Sequence, residues 1–156
     1  MTDLERIVYA TDFSPASLAA FPQAVRLARL SGAELTIFHV LPAPVGLFSI
    51  DGGYVPQEIW DALYAGLRAD ANREADRLIT QAVEAGARAG ASIVDGGTAD
   101  AQIVQAAHDL KADLLVLGTH GRTGVAKFFL GSVAARVVAT APCPVLTVRA
   151  PEATDA

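Results

Sequence analysis

The chain has 156 residues, 52% of them hydrophobic and 19% charged, which suits one domain with enough apolar side chain for a sizeable core. Its 17 acidic residues outnumber its 12 lysines and arginines, giving a net charge of -5; this argues against a general nucleic-acid binder, which needs a basic face, so any anion site must be local. The single cysteine, Cys143, excludes an internal disulfide and a cysteine-built zinc cluster, and suits a reducing compartment.

The N-terminus carries acidic residues and lacks the basic and apolar regions of a signal peptide. No apolar run approaches the ~20 residues that a membrane span requires. The expectation is a soluble, cytoplasmic protein with no membrane partner.

In chain order, Ile7 to Ala10 is a short apolar run rich in β-formers and reads as the first strand, ending at Thr11-Asp12-Phe13-Ser14. Ser14-Pro15 is a cap followed by a helix-starting proline, and Leu18, Phe21, Val25 and Ala28 recur at helical spacing up to Ser31-Gly32. Pro22 interrupts that helix, which must kink or start late there. Asp12 stands at the carboxyl end of the first strand, where ligands of open α/β sheets gather, and is open to two readings, a turn cap or a ligand contact.

Glu34 to Val40 is the second strand. His39 within it reads as a satisfied core histidine, because His108 and His120 fall in separate elements with no metal-ligand spacing. Residues 41–55 combine Pro42, Pro44, Gly46, Gly52 and Gly53 with Val45, Leu47, Phe48, Ile50 and Tyr54, giving an unusually apolar loop. Gln57 to Ala85 is an amphipathic helix with Ile59, Leu63, Leu67, Ala71, Ala75, Leu78 and Ala82 on one stripe, closed by Gly86. Ala91 to Val94 is a short third strand, Asp95-Gly96-Gly97 a plain turn, and Ile103, Val104, Ala107 and Leu110 mark the next helix.

The most informative passage comes next. Leu114 to Leu117 form the continuous apolar run of a buried parallel strand, and Gly118 marks its sharp end. Gly121 follows, then nine residues, then Gly131-Ser132 opening a helix that runs to Thr140, with Ser132 expected at its N-cap. Unpaired amides at a helix start attract anions, and glycine allows the main chain close to a ligand, so the passage reads as a phosphate cradle. Arg122 and Lys127 add positive charge within it. Val145 to Val148 is the last strand, Cys143 before it reads as a small core residue, and residues 151–156 read as a disordered tail beyond a domain of residues 1–150.

The spacing Gly118-x-x-Gly121, nine residues, Gly131-Ser132, set between an apolar strand and Pro142-Cys143-Pro144 with its strand, resembles the universal stress protein family in its ATP-binding branch. Five strand-like runs alternating with helices already imply a doubly wound α/β fold with a parallel sheet. The resemblance adds the strand order 3-2-1-4-5, Rossmann-like and akin to the adenine nucleotide α-hydrolase fold, and places Asp12 and Gly118 across one crevice.

It also implies ATP as the ligand, with Mg2+ carried by the nucleotide. Main-chain contacts would come from Ala10 and Thr11, adenosine contacts from Asp12, Val40 and Leu117, and phosphate contacts from Gly118, Thr119, His120, Gly121, Arg122, Thr123, Gly131, Ser132 and Val133. A homodimer through residues 145–148 is implied as well. No P-loop lysine motif and no catalytic constellation is present, so slow or no hydrolysis is expected and a nucleotide-gated stress-response module is the functional reading. The alternatives are a nucleotide-independent interaction protein of the same fold and a slow ATPase.

Overall fold

The computed structural model describes residues 3–42, 53, 55–120 and 130–151. Its strands are β1 (Arg6–Ala10), β2 (Glu34–Leu41), β3 (Arg88–Asp95), β4 (Leu114–Gly118) and β5 (Val145–Val148). The helices between them are α1 (Pro15–Leu18), α2 (Phe21–Ser31), α3 (Gln57–Glu84), α4 (Ala99–Asp109) and α5 (Ser132–Thr140). The strands form one parallel five-stranded sheet in the order β3-β2-β1-β4-β5, as expected.

Burial follows from this order. The central strand β1 pairs with β2 on one side and β4 on the other, so Ile7, Val8, Tyr9 and Ala10 are all buried and the strand reads as a continuous apolar run. Alternate residues then feed two cores. Ile7, Tyr9, Leu35, Ile37 and Val116 meet Ala24, Val25 and Ala28 of α2 and Leu78 and Ala82 of α3. Val8, Ala10, Phe38, Leu115 and Leu117 meet Ile103 and Ala107 of α4 and Ala134 and Val137 of α5 on the opposite face.

Pro22 resolves as a late start. The chain forms the single turn α1 behind the Ser14 cap, then begins α2 with proline in its first turn, where a missing N–H costs nothing. Gly32, in the left-handed region with φ 75°, ends α2 as expected. Gly86, at φ 91°, follows the end of α3, and the left-handed Gly96 and Gly97 form the turn after β3.

Two expectations shift. Strand β3 extends well beyond Ala91 to Val94, because pairing with β2 from Glu34↔Arg88 to Leu41↔Asp95 recruits Ala89 and Gly90, which have little strand preference of their own. The stripe of α3 is buried only at Ala71, Ala75, Leu78 and Ala82, while Ile59, Leu63 and Leu67 are exposed. A helix of 28 residues spans about 42 Å whereas the eight-residue β3 spans about 26 Å, so the N-terminal part of α3 outruns the sheet that would cover it. The expected apolar loop falls largely on residues 43–52 and 54, and the expected tail on 152–156, all outside the described residues.

At the opposite end of the sheet, the Asp113 carboxylate accepts the backbone N–H groups of Glu5 at 3.0 Å and Arg6 at 2.9 Å, tying the start of β4 to that of β1. These two bonds hold its pKa below the ordinary aspartate value. A depressed folded pKa gives stability that is present above the unfolded pKa and lost as pH falls through the folded one. Asp113→Ala is therefore expected to lower the melting temperature at neutral pH by an amount that shrinks as pH falls below the usual aspartate range, a trend that thermal unfolding between pH 7 and 3 measures.

Candidate functional site

Strands β1 and β4 lie side by side, with Ala10 opposite Leu117, but the chain leaves them toward opposite faces of the sheet: α1 and α2 on one side, α5 on the other. A crevice must open where the two connections part, outside the carboxyl ends of the strands. It is a cavity of about 620 Å3. Its lining includes every described residue among the expected site positions: Ala10, Thr11, Asp12, Val40, Leu117, Gly118, Thr119, His120, Gly131, Ser132 and Val133. Gly121, Arg122, Thr123 and Lys127 lie outside the described residues.

Phe38, His39, Ala99, Ile103, Leu130, Ala134 and Ser17 also line the cavity and were not anticipated there. Phe38 and Ile103 read from sequence as core, which they also are. One signal was available: Phe38 is two residues from Val40, hence on the same face of β2.

The wall on the β1 side is a turn built from hydrogen bonds. Thr11 Oγ1 accepts the N–H of Phe13 at 2.9 Å and shares a 2.8 Å bond with Ser17 Oγ. Asp12 Oδ1 accepts the N–H of Ser14 at 2.9 Å, so the capping role of Asp12 is real and coexists with its place in the cavity lining. Ser14 Oγ accepts the N–H of Ser17, and Tyr9 donates its hydroxyl to the Ser17 carbonyl at 2.8 Å. Among the described residues the buried polar side chains are Thr11, Ser14 and Ser17 of this stretch and His39 of β2, which bonds to it. Phe13 is held at φ 62°, a left-handed conformation that costs a non-glycine residue about 1–3 kcal/mol unless its surroundings enforce it.

The opposite wall is the start of α5. Its N-cap is Gly131, not Ser132, and no side chain caps it. Gly131 takes the cap because it lies extended, at φ -58° and ψ 157°, while its carbonyl accepts the Ala135 N–H at 2.8 Å. Ser132 becomes the first helical residue, so its hydroxyl does not serve as the cap of its own helix. The first-turn amides of Ser132, Val133 and Ala134 lack intrahelical partners, and all three residues border the cavity. His120 points the same way: its Nδ1 bonds to Thr119 Oγ1 at 3.0 Å, and its buried Nε2 has no hydrogen-bond partner among the described residues. An orphaned polar atom beside an uncapped helix start fits a polar, anionic ligand.

Two of the expected glycines, Gly118 and Gly131, also have a packing role. A Cβ on Gly118 would lie 2.8 Å from the Ala16 carbonyl oxygen and 3.0 Å from Ser17 Cα, and one on Gly131 would lie 2.9 Å from the Thr119 carbonyl oxygen. Both positions are small because protein backbone crosses there; Gly131 N–H also donates to Thr119 O at 2.7 Å. Glycine here brings the two walls together, and a bulky substitution cannot leave the fold intact while testing the ligand.

Cys143, half-buried against the α4–α5 core, has its thiol pushed up by burial, consistent with a packing role. Among the described residues no group of three His, Cys, Asp or Glu side chains could hold a metal ion, and no helix is long and apolar enough to cross a membrane.

A parallel doubly wound sheet with a crevice at its reversal point, walled by a polar turn and an uncapped helix start, defines a class of small α/β ligand-binding folds. The sequence profile of the universal stress protein family matches residues 4–149, and the chain belongs to that family. It is 32% identical over 148 residues to a universal stress protein of Methanocaldococcus jannaschii, covering 95% of this chain and 84% of the relative. The structure of UspA from Lactobacillus plantarum has the same fold, with a TM-score of 0.81 and 23% identity over 96% of this chain and all (100%) of that one. A universal stress protein solved in complex with cAMP shares 28% identity at a TM-score of 0.68, over 96% of this chain and 100% of its own.

Gly131→Ala is expected to destabilise the ligand-free protein by about 1–3 kcal/mol through overpacking, as measured by chemical unfolding. Tyr9→Phe removes one of two bonds to the Ser17 carbonyl, which keeps the Ala20 N–H at 3.2 Å, and should cost about 0.5–1.5 kcal/mol. Burial raises the Tyr9 hydroxyl from 10.0 to about 12, so its contribution holds below pH 10.0 and is lost as pH rises through about 12. The fall in melting temperature above pH 10.0 should accordingly be smaller in Tyr9→Phe than in the parent.

Proposed function

We propose that the crevice binds ATP and that the protein acts as a nucleotide-gated stress-response module with slow or no hydrolysis. The observation that carries this reading is the pairing, across one cavity, of Asp12 with the uncapped start of α5 beside the orphaned His120 Nε2. Phe38, Val40 and Ile103 offer an apolar slot for a base. In the proposed pose adenine lies against Val40 and Asp12, ribose lies between Asp12 and Leu117, and the phosphates meet residues 118–123 and 131–133. The family relative's complex with cAMP supports an adenine nucleotide, and ATP extends that support by way of the phosphate-sized helix start.

Mg2+ arrives with the nucleotide in this account. Turnover needs a positioned water and a base as well as charge stabilisation. His120 is the titratable side chain nearest to that role, and it serves better as a hydrogen-bond partner of the phosphates. Among the described residues β5 is an outer strand paired in the sheet with β4 alone, and we assign its other edge to a two-fold partner, giving a homodimer. Residues 1–150 act as one domain, and the cytoplasm is the proposed compartment.

Calorimetric titration of nucleotide-stripped protein with Mg-ATP, GTP and cyclic AMP, with phosphate release followed over hours, tests the reading. The expected result is ATP affinity on the order of micromolar, weaker GTP binding and negligible phosphate release. Brisk release would make the protein an ATPase; absence of any nucleotide binding would leave an interaction protein of the same fold.

Asp12→Asn retains an acceptor for the Ser14 N–H but loses the charge, and should weaken ATP binding about tenfold with little change in stability. Sedimentation equilibrium should return about twice the 16.2 kDa chain mass, and a monomer at all concentrations would remove the dimer.

A further inference from the structure

His39 is buried and borders the cavity, yet the nucleotide pose above gives it no contact. Its Nδ1 lies 2.8 Å from the Thr11 carbonyl oxygen. A carbonyl can only accept, so the proton sits on Nδ1 and the tautomer is fixed by its partner. The imidazole also packs on the Phe13 ring, with centroids 4.5 Å apart and planes tilted by 37°. The two grips fall on either side of Asp12.

The bonds described above from Thr11, Asp12, Ser14 and Ser17 are local to the turn. His39 reaches it from β2, 28 residues away in sequence, and its neighbours Phe38 and Val40 line the apolar slot. Phe13 needs such support, because its left-handed backbone is one that a bulky residue keeps only when its surroundings enforce it.

We infer that His39 is a positioning residue for Asp12: by donating to the Thr11 carbonyl and packing on Phe13, it fixes the turn relative to β2 and so sets the spacing between Asp12 and the base slot. The ligand side of this inference rests on the nucleotide reading; the structural side does not. The Thr11 N–H already bonds to the Phe38 carbonyl at 2.9 Å, and the imidazole extends that tie past Thr11 by holding the Thr11 carbonyl and the Phe13 ring from β2. The consequence for ligands is selectivity for a ribose with its hydroxyls in place, since Asp12 is the group proposed to meet the sugar.

The test compares His39→Leu, which keeps bulk but removes the donor, with His39→Asn, whose amide nitrogen approximates Nδ1. In ligand-free protein followed by NMR hydrogen exchange, the Phe13 and Ser14 amides should exchange at least about tenfold faster in His39→Leu, with the amides of the β1–β2 ladder unchanged and His39→Asn restoring much of the protection. In parallel, ATP, 2′,3′-dideoxy-ATP and adenosine are titrated into each protein. The preference for ATP over the dideoxy analogue should collapse in His39→Leu, while the preference for ATP over adenosine, which reports the phosphates, persists.

Unchanged exchange at Phe13 and Ser14 would overturn the positioning role whatever the nucleotide result. Faster exchange with the ribose preference retained would overturn the link to Asp12 and the ligand. If the parent binds no nucleotide, the proposed function fails and exchange alone still decides whether His39 holds the turn. Should His39→Leu not fold, His39→Asn against His39→Gln, which moves the donor away from the Nδ1 position, makes the same comparison; equal exchange in the two would overturn the inference.

Discussion

The turn at the end of β1 has to satisfy a dense set of polar groups inside an otherwise apolar body, and the site is shaped by how it does so. A buried polar group left without a partner costs about 1–3 kcal/mol, and here Thr11, Ser14, Ser17 and His39 are buried together. Each has a partner nearby: Thr11 with Ser17 and Phe13, Ser14 with Ser17, and His39 with the Thr11 carbonyl. Satisfying them fixes the backbone through Asp12 and holds Phe13 in the left-handed region, so the carboxylate is presented at the crevice by a rigid frame. The same frame positions α1, whose backbone crosses Gly118 closely enough to exclude a Cβ.

The crevice thus joins two kinds of surface that are both properties of the fold. Parallel winding leaves a gap between β1 and β4 because their connections pass to opposite faces. Into that gap the chain turns a rigid carboxylate from one side and the uncapped amides of α5 from the other, with His120 Nε2 lacking a partner among the described residues. A ligand that carries a hydroxyl-bearing sugar and an anionic group answers both walls at once. An adenine nucleotide has that chemistry, and Phe38, Val40 and Ile103 add apolar surface to the lining of the crevice.

Much of this was legible from residue patterns. The apolar run at residues 114–117 announced a buried parallel strand, because strands buried on both faces lose their alternation, and the run at 7–10 announced the first strand. The glycine spacing before Ser132 located the α5 wall, and Asp12 was marked by its position after the first strand. What the sequence hid was tertiary. Ala89 and Gly90 join β3 only because β2 offers a partner, and the stripe of α3 is exposed at Ile59, Leu63 and Leu67 only because the sheet ends short of them. Local preference favoured Ser132 as a cap, yet Gly131 adopts the extended conformation and takes the position. The glycines at 118 and 131 read as room for a ligand, and the crossing backbones that make them necessary to the fold as well are invisible in the sequence. His39 read correctly as a satisfied buried histidine, but its partner at the turn, distant in sequence, could not be read from one strand.

In the proposed mode of binding, one crevice between β1 and β4 receives the nucleotide with its phosphates at the start of α5. Titration of isotope-labelled protein with Mg-ATP, followed by amide chemical shifts, addresses it most directly. Binding there should give saturable shifts concentrated at Asp12, Val40, Gly118, Thr119 and residues 131–134, with the sulfur-substituted γ-thio analogue perturbing the 131–134 amides differently from ATP. Saturable shifts centred elsewhere on the molecule, or none at millimolar nucleotide, would contradict it.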